Sequence, residues 1–263
     1  MKVKEFGLVI GAILLLTASL SAETLLIDFG ATAATSTAST NNPAGVAPSA
    51  AADWNLVGGV ASASLSFYAD GTAATGVSIN EGSSATASIV NWTAHPTASN
   101  LGTSIVTNDF ASGNPAYGAV FDSGASNIGM QVSGLAAGTY NLFVVGVNTN
   151  SSTPVSETFF AGDTGSSLLT SSSYNFTSLP LSATESNSGI STSTWVAGTD
   201  YQELTVTIAN SGDILTLVAE GGGTTALNML EIVAVPEPRT WAELVFGAFV
   251  LFFVVRRRNA WAV

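Results

Sequence analysis

Chemistry in this chain has to come from acids, amides, hydroxyls and aromatic rings. The single histidine, His95, stands in Asn91-Trp92-Thr93-Ala94-His95-Pro96, and there is no cysteine. A Ser-His-Asp triad would need His95 as its base, yet no nucleophile elbow surrounds a serine and no second histidine completes a metal pair. His95 is therefore read as a loop residue. Paired carboxylates can hydrolyse glycosides without histidine, because one acid protonates the leaving oxygen while the other attacks or activates water. Asp28, Asp53, Asp109, Asp122 and Glu231 are available, but their spacing singles out no pair, and the same residue types suit turns and solvated surface. Trp54, Trp92 and Trp195 offer a third chemistry. An indole face packs against the C–H face of a sugar while Asn and Asp hydrogen-bond its hydroxyls, although such rings serve equally well in a core.

Metals and cofactors have little to hold them. Thiolate sites are excluded with cysteine, and one histidine leaves zinc poorly served. No cofactor is expected. Structural calcium is the metal that suits an acidic surface, since hard cations take carboxylate and carbonyl oxygens, but no EF-hand spacing occurs and no ligand set stands out.

The cations are placed with a clear pattern. Lys2, Lys4, Arg239 and Arg256 to Arg258 are all six of them, and none lies between Glu23 and Val235. Of the 18 acidic residues, all but Glu5, Glu237 and Glu243 fall in that stretch, and the formal net charge is −12. A region without a basic patch cannot neutralise phosphates, so nucleic acid is excluded as a partner. Only 9% of residues are charged, and Ser, Thr, Asn and 26 glycines make up much of the polar remainder. Such a surface stays soluble by hydration and mild negative charge.

Both ends look like addresses. Lys2 and Lys4, the apolar run Phe6 to Leu16 and the small polar residues Thr17 to Ala22 have the three-part form of a secretory signal peptide, 1–22. Near the other end, residues 241–255 are apolar except for Glu243. At ~1.5 Å per residue they span roughly 22 Å, short of a ~30 Å hydrocarbon core, so a transmembrane helix here needs its flanks. Trp241 would sit at the interface, and Arg256, Arg257 and Arg258 place the tail 256–263 in the cytoplasm. Residues 23–233 would then lie outside, joined to the helix by the linker 234–240.

The order Pro236-Glu237-Pro238, short apolar helix, Arg256-Arg257-Arg258 resembles the PEP-CTERM family of sorting signals. The resemblance covers the last part of the chain only, and Glu243 and the tail Asn259 to Val263 depart from the usual pattern. It implies an exosortase-type membrane enzyme as partner, with Pro236, Glu237 and Pro238 as its recognition residues, the helix as a transient membrane anchor and the arginines as a stop signal. It also implies a destination: cell surface or extracellular matrix.

Between the two addresses, short apolar runs alternate with Gly, Asn, Asp and Ser clusters, the pattern of antiparallel strands joined by turns. Leu204, Val206 and Ile208 share one face of a strand, as do Leu215 and Leu217. Ala226 to Val233 reads as one continuous strand, whereas Ala31 to Ala52 and Thr164 to Thr194 read as long surface loops. About ten strands without helices require two packed sheets. The expected fold is an all-β, antiparallel two-sheet sandwich, with helices only in the signal and the anchor.

Four phrases resemble the galactose-binding-like jelly rolls of exported bacterial proteins: Leu26-Ile27-Asp28-Phe29-Gly30, Asp53-Trp54-Asn55, Gly134 to Tyr140, and Leu227 to Ile232. The expectation is an exported, non-enzymatic envelope or matrix component beside exopolysaccharide or biofilm, structural or carbohydrate-binding, with polysaccharide as partner. The alternative is a secreted carbohydrate-active hydrolase that uses paired carboxylates.

Overall fold

The computed structural model describes residues 23–30, 40–57, 62–80, 114–117, 119–122, 127–146, 156–169, 176–186, 195–221 and 225–236. The expected signal segment 1–22, the apolar helix 241–255 and the basic tail 256–263 lie outside the described residues, as do Glu237, Pro238, Trp92, His95 and Asp109. Among the described residues, no helix is long and apolar enough to cross a membrane.

Thirteen strands are described: β1 (Thr24–Asp28), β2 (Trp54–Leu56), β3 (Ser62–Ser64), β4 (Ser78–Asn80), β5 (Val120–Asp122), β6 (Ile128–Ser133), β7 (Gly138–Val145), β8 (Ser156–Asp163), β9 (Leu181–Ser186), β10 (Gln202–Ile208), β11 (Leu215–Gly221), β12 (Thr225–Leu227) and β13 (Met229–Val235). They form a five-stranded sheet in the order β10-β7-β13-β1-β2, a six-stranded sheet in the order β3-β4-β6-β11-β8-β9, and the small ladder β12-β5. β1 pairs parallel with β2 and antiparallel with β13, and the pairs β10–β7, β11–β6, β11–β8, β12–β5, β3–β4, β4–β6 and β8–β9 are antiparallel. The protein is an all-β, two-sheet sandwich.

The core lies between the two sheets because each contributes one face of period-two apolar residues. Leu25 and Ile27 of β1, Leu142 and Val144 of β7, Leu204, Val206 and Ile208 of β10, and Leu230 and Ile232 of β13 meet Ile79, Met130, Val132, Phe159, Leu215 and Leu217 from the other sheet. Along β10 burial alternates strictly, with Glu203, Thr205 and Thr207 facing water. β11 departs from alternation because the outer face of its sheet is also covered. Phe176 and Leu179 pack with Val218, while Thr216 is bonded to Gln131 and Thr164.

Two expectations need correction. The run Ala226 to Val233 is two strands in different ladders, broken at Asn228. The Asn228 N–H donates to the Val145 carbonyl (2.8 Å), its carbonyl accepts from Phe29, and its side-chain amide donates to the Ala116 carbonyl (3.0 Å). Those bonds hold the residue at the switch from β12 to β13. Within the stretch read as a Ser/Thr-rich loop, Leu181–Ser186 forms the edge strand β9, in register with β8 from Ser156↔Ser186 to Ala161↔Leu181. Its small polar residues hide the alternation, and a Thr158–Thr184 hydroxyl contact (2.9 Å) marks its solvent face.

The turn from β6 to β7 depends on Gly134, whose φ is +86°. A Cβ there would overlap the carbonyl of Gly76, so the turn and the loop before β4 approach closely. Leu135 and Tyr140 flank the turn and close the core, and the Tyr140 hydroxyl donates to the Ala136 carbonyl at 2.9 Å. Gly134→Ala is expected to cost more than about 3 kcal/mol by adding backbone overlap to a left-handed conformation. Gly212→Ala, at φ +98° with open space around it, should cost only about 1–2 kcal/mol. Equilibrium urea unfolding of the two variants measures the difference.

Candidate functional site

Strand register places Leu26 and Asp28 of β1, Met229 and Glu231 of β13 and Trp54 of β2 on the outer face of the five-stranded sheet. Such a face would ordinarily meet water. Here Leu26, Trp54 and Met229 join Val145, Ala69, Ala116, Ala119 and Ala226 in a second apolar cluster, with Val46, Trp195 and Tyr201 packed half-buried against it. Loops therefore cover this half of the sheet. The β10–β7 half stays open, with Thr205 bonded to Asn141 (3.0 Å) and Thr139 close to Thr207. Trp195 and Tyr201 belong to the cover, and Tyr201 lies against half-buried Phe143 of β7, ring centroids 5.9 Å apart.

The loop that carries Trp195 is tightly bonded. Asp200 accepts from the Val196 N–H through its carboxylate (2.8 Å) and donates its own N–H to the Val196 carbonyl, while Gly198 N–H donates to the Tyr201 carbonyl. The Trp195 indole N–H donates to the Asn41 side chain at 3.0 Å. Asn41 in turn accepts, at its carbonyl, from the Asn114 amide (3.0 Å). Asn42 closes the same loop on itself by bonding both the N–H and the carbonyl of Val46, and Ala44 N–H reaches the Glu231 carboxylate at 3.3 Å. A chain of amides thus runs from the buried Glu231 to the half-exposed Trp195.

The tryptophans and acids singled out by sequence take different places. Trp54 is only 4% exposed and packs in the outer cluster, so it presents no open face. Trp195 is half-buried at the surface of that cluster, and Trp92 lies outside the described residues. Asp53 is buried and accepts from Ser49 Oγ (2.7 Å) and Ala50 N–H (2.6 Å), which makes it a turn former. Asn55, between them in function, bonds Leu26, Ser66 and Phe67 with its side chain and ties β2 to its neighbours. Asp122 stands at the end of β5. Among the described residues, no group of three or more His, Cys, Asp or Glu gathers as a metal-binding cluster.

Asp28 and Glu231 are the pair that spacing does not reveal. Leu26 is opposite Glu231 and Asp28 is opposite Met229, so the two acids are diagonal neighbours on one face, roughly 7–8 Å apart at Cα. Asp28 is 1% exposed and Glu231 0%. Each has one oxygen bonded to a backbone N–H, from Gly30 (2.7 Å) and Ala44, and one oxygen with no hydrogen-bond partner. Loss of water raises each carboxyl to about 8, against which the single N–H bond acts weakly. Other residues that spacing left unmarked are Asn41, Asn114 and Tyr201, whose roles depend on loop contacts far apart in sequence.

No protein-family model matches this chain, and no curated protein matches it. Among solved structures, it is similar to Arthrobacter globiformis T6 isomalto-dextranase complexed with panose, with 18% identity and TM-score 0.30 over 48% of this chain and 20% of that one. It is also similar to TmCBM61 in complex with β-1,4-galactotriose, with 14% identity and TM-score 0.21 over 45% of this chain and 67% of that one. Likenesses at these scores settle neither site nor activity.

Raised carboxyl pKa values have a definite sign in stability. Between the ordinary values, 3.8 for Asp and 4.5 for Glu, and about 8, the folded state holds protons that the unfolded state has released. Folding stability therefore falls as pH rises through that window, by about 1.4 kcal/mol per pH unit for each such group. With a chelator present, the melting temperature is expected to fall steadily from pH 5 to about pH 8, and Asp28→Asn or Glu231→Gln should flatten the slope. Melting curves across that range check it; a stability that rises with pH would contradict the assignment.

Proposed function

We propose that this chain is an exported, non-enzymatic carbohydrate-binding component of the cell envelope or extracellular matrix, associated with exopolysaccharide. Under this reading the sandwich is a jelly roll of the kind its sequence phrases resemble, and it takes no cofactor for binding. The observation that carries it is Trp195, half-buried with its indole N–H already bonded to Asn41 on a loop braced by Asp200. A half-exposed aromatic ring whose polar edge is satisfied and whose loop is hydrogen-bonded can pack against a sugar without a large ordering cost. Tyr201 packs against the same cluster as Trp195 and contacts the ring of Phe143.

A hydrolase using paired carboxylates draws less support from the same face. A general acid must touch the glycosidic oxygen it protonates. Asp28 and Glu231 share one face of the sheet, but at 1% and 0% exposure they are buried where a polysaccharide does not reach.

The sequence of the tail supports the rest of the proposal. Pro236 follows β13 directly and is exposed, and Glu237, Pro238, the apolar run 241–255 and the arginines that follow it complete the sorting pattern in sequence. In this reading an exosortase-type enzyme takes Pro236-Glu237-Pro238 as its recognition site while the helix holds the protein in the membrane.

Two experiments test these halves separately. Affinity electrophoresis in gels containing the host's own exopolysaccharide should show retardation of the protein. Trp195→Ala should weaken it at least about tenfold, ~1.4 kcal/mol, while Thr207→Ala on the open half of the sheet leaves it unchanged. Equal retardation of Trp195→Ala and the parent would count against the platform. For sorting, alanines in place of Pro236, Glu237 and Pro238 should leave the protein in the membrane fraction of its native host, and normal release would sink that part.

A further inference from the structure

The open half of the five-stranded sheet brings an acid and two aromatic rings together. Leu204, Val206 and Ile208 of β10 point into the core, so Glu203, Thr205 and Thr207 stand exposed on the outer face. Register sets Phe143 of β7 directly opposite Glu203, and Asn141 opposite Thr205. Residues opposed in this way have Cβ atoms about 4.5–5.5 Å apart. Tyr201 stands immediately before β10, in phase with Glu203, and its ring centroid is 5.9 Å from that of Phe143 with the planes tilted by 41°. Both rings are half-buried, and the Glu203 side chain beside them is exposed.

The potential at these rings is negative. Burial raises the Tyr201 phenol, and the charges of Glu203, Glu231 and Asp200 raise it further. No Lys or Arg occurs between Glu23 and Val235 to answer those charges. An aromatic ring attracts a cation through its quadrupole, and a neighbouring carboxylate adds a charge-assisted hydrogen bond, so this combination suits an ammonium group. The same carboxylates repel an anionic sugar chain. Next along the face, the Thr205 hydroxyl donates to Asn141 Oδ1 at 3.0 Å. The amide nitrogen of Asn141 supplies N–H donors of the kind that a sugar hydroxyl accepts. A hydroxyl and an amide beside the acid match a sugar ring better than the apolar side chains of a peptide.

We infer that Tyr201, Phe143 and Glu203 bind the ammonium group of an amino sugar, so that the glycan this chain holds carries free amines. The inference rests on the carbohydrate-binding reading and narrows its ligand from any polysaccharide to a basic one. Glu203 gives the ammonium its counter-charge, the two rings give it cation–π contact, and Asn141 and Thr205 meet hydroxyls of the same sugar. N-acetylation of the amine removes the charge and leaves the rest of the sugar in place.

The test is calorimetric titration of the full-length protein, in mildly acidic buffer that keeps sugar amines protonated, with short glucosamine oligomers, the same oligomers N-acetylated, and lysine oligomers of equal charge. The free-amine sugar should bind at least about tenfold tighter than either of the others. Glu203→Gln should abolish that preference, whereas Glu220→Gln, which removes the same charge from an exposed position on β11, should keep it. Tyr201→Leu and Phe143→Leu should each weaken the free-amine sugar about two- to fivefold. Equal binding of the N-acetylated oligomers would overturn the inference, as would equal binding of the lysine oligomers or an equal loss in Glu220→Gln, which would show attraction by charge alone. Failure of the glucosamine oligomers to bind, while the host's exopolysaccharide still retards the protein, overturns the amine site and spares the carbohydrate reading. Failure of both ligands removes the two together.

Discussion

Between Glu23 and Val235 there is no lysine or arginine, so any carboxylate that folding takes out of water must be neutralised by a proton or by an ion from solution. Asp53 and Asp200 are buried too but accept hydrogen bonds from nearby groups, whereas four other buried carboxylates are less fully answered among the described residues. Asp28, Glu157, Glu185 and Glu231 are at most 1% exposed, and each keeps one oxygen without a hydrogen-bond partner. Burial pushes the pKa of all four upward, and no side-chain ion pair opposes it. The apolar interior between the two sheets supplies the stability against which this cost is set.

The four acids fall into two diagonal or opposed pairs at different places in the sandwich, and their surroundings differ. Asp28 and Glu231 lie on the outer face of the five-stranded sheet, and Glu231 is bonded to the loop that carries Asn41 and Ala44. That loop also receives the indole N–H of Trp195, so the acid beneath and the aromatic surface above belong to one hydrogen-bonded cover. Glu157 and Glu185 instead face the interior, where each is held by one backbone N–H and keeps its Oε2 without a hydrogen-bond partner. Burial raises the carboxyls of both pairs, so both fit proton binding.

The fold class was legible because alternation is strong where it matters. Leu204, Val206 and Ile208, and Leu215 and Leu217, point inward as period two requires. β9 was not legible, since Leu181 to Ser186 offers small polar residues on an edge and its pairing with β8 is a tertiary fact. The break at Asn228 was hidden for a similar reason: the residues around it are uniformly apolar, and only bonds to Val145, Phe29 and Ala116 reveal the change of sheet. For the site, Trp195 and Glu231 were visible as residue types, but Trp54 differs from Trp195 only in burial, which sequence does not state. Glu157 and Glu185 are separated by a long loop, so their opposition appears only in strand register.

Asp28 and Glu231, pushed up to about 8 by burial, hold protons at neutral pH. Calorimetric unfolding at pH 7 with a chelator, repeated in buffers of different ionisation enthalpy, counts the protons exchanged on unfolding. Net proton release on unfolding is expected, because all four carboxyls are raised by burial in the folded chain and return to ordinary values when it opens. No exchange, or proton uptake on unfolding, would contradict it.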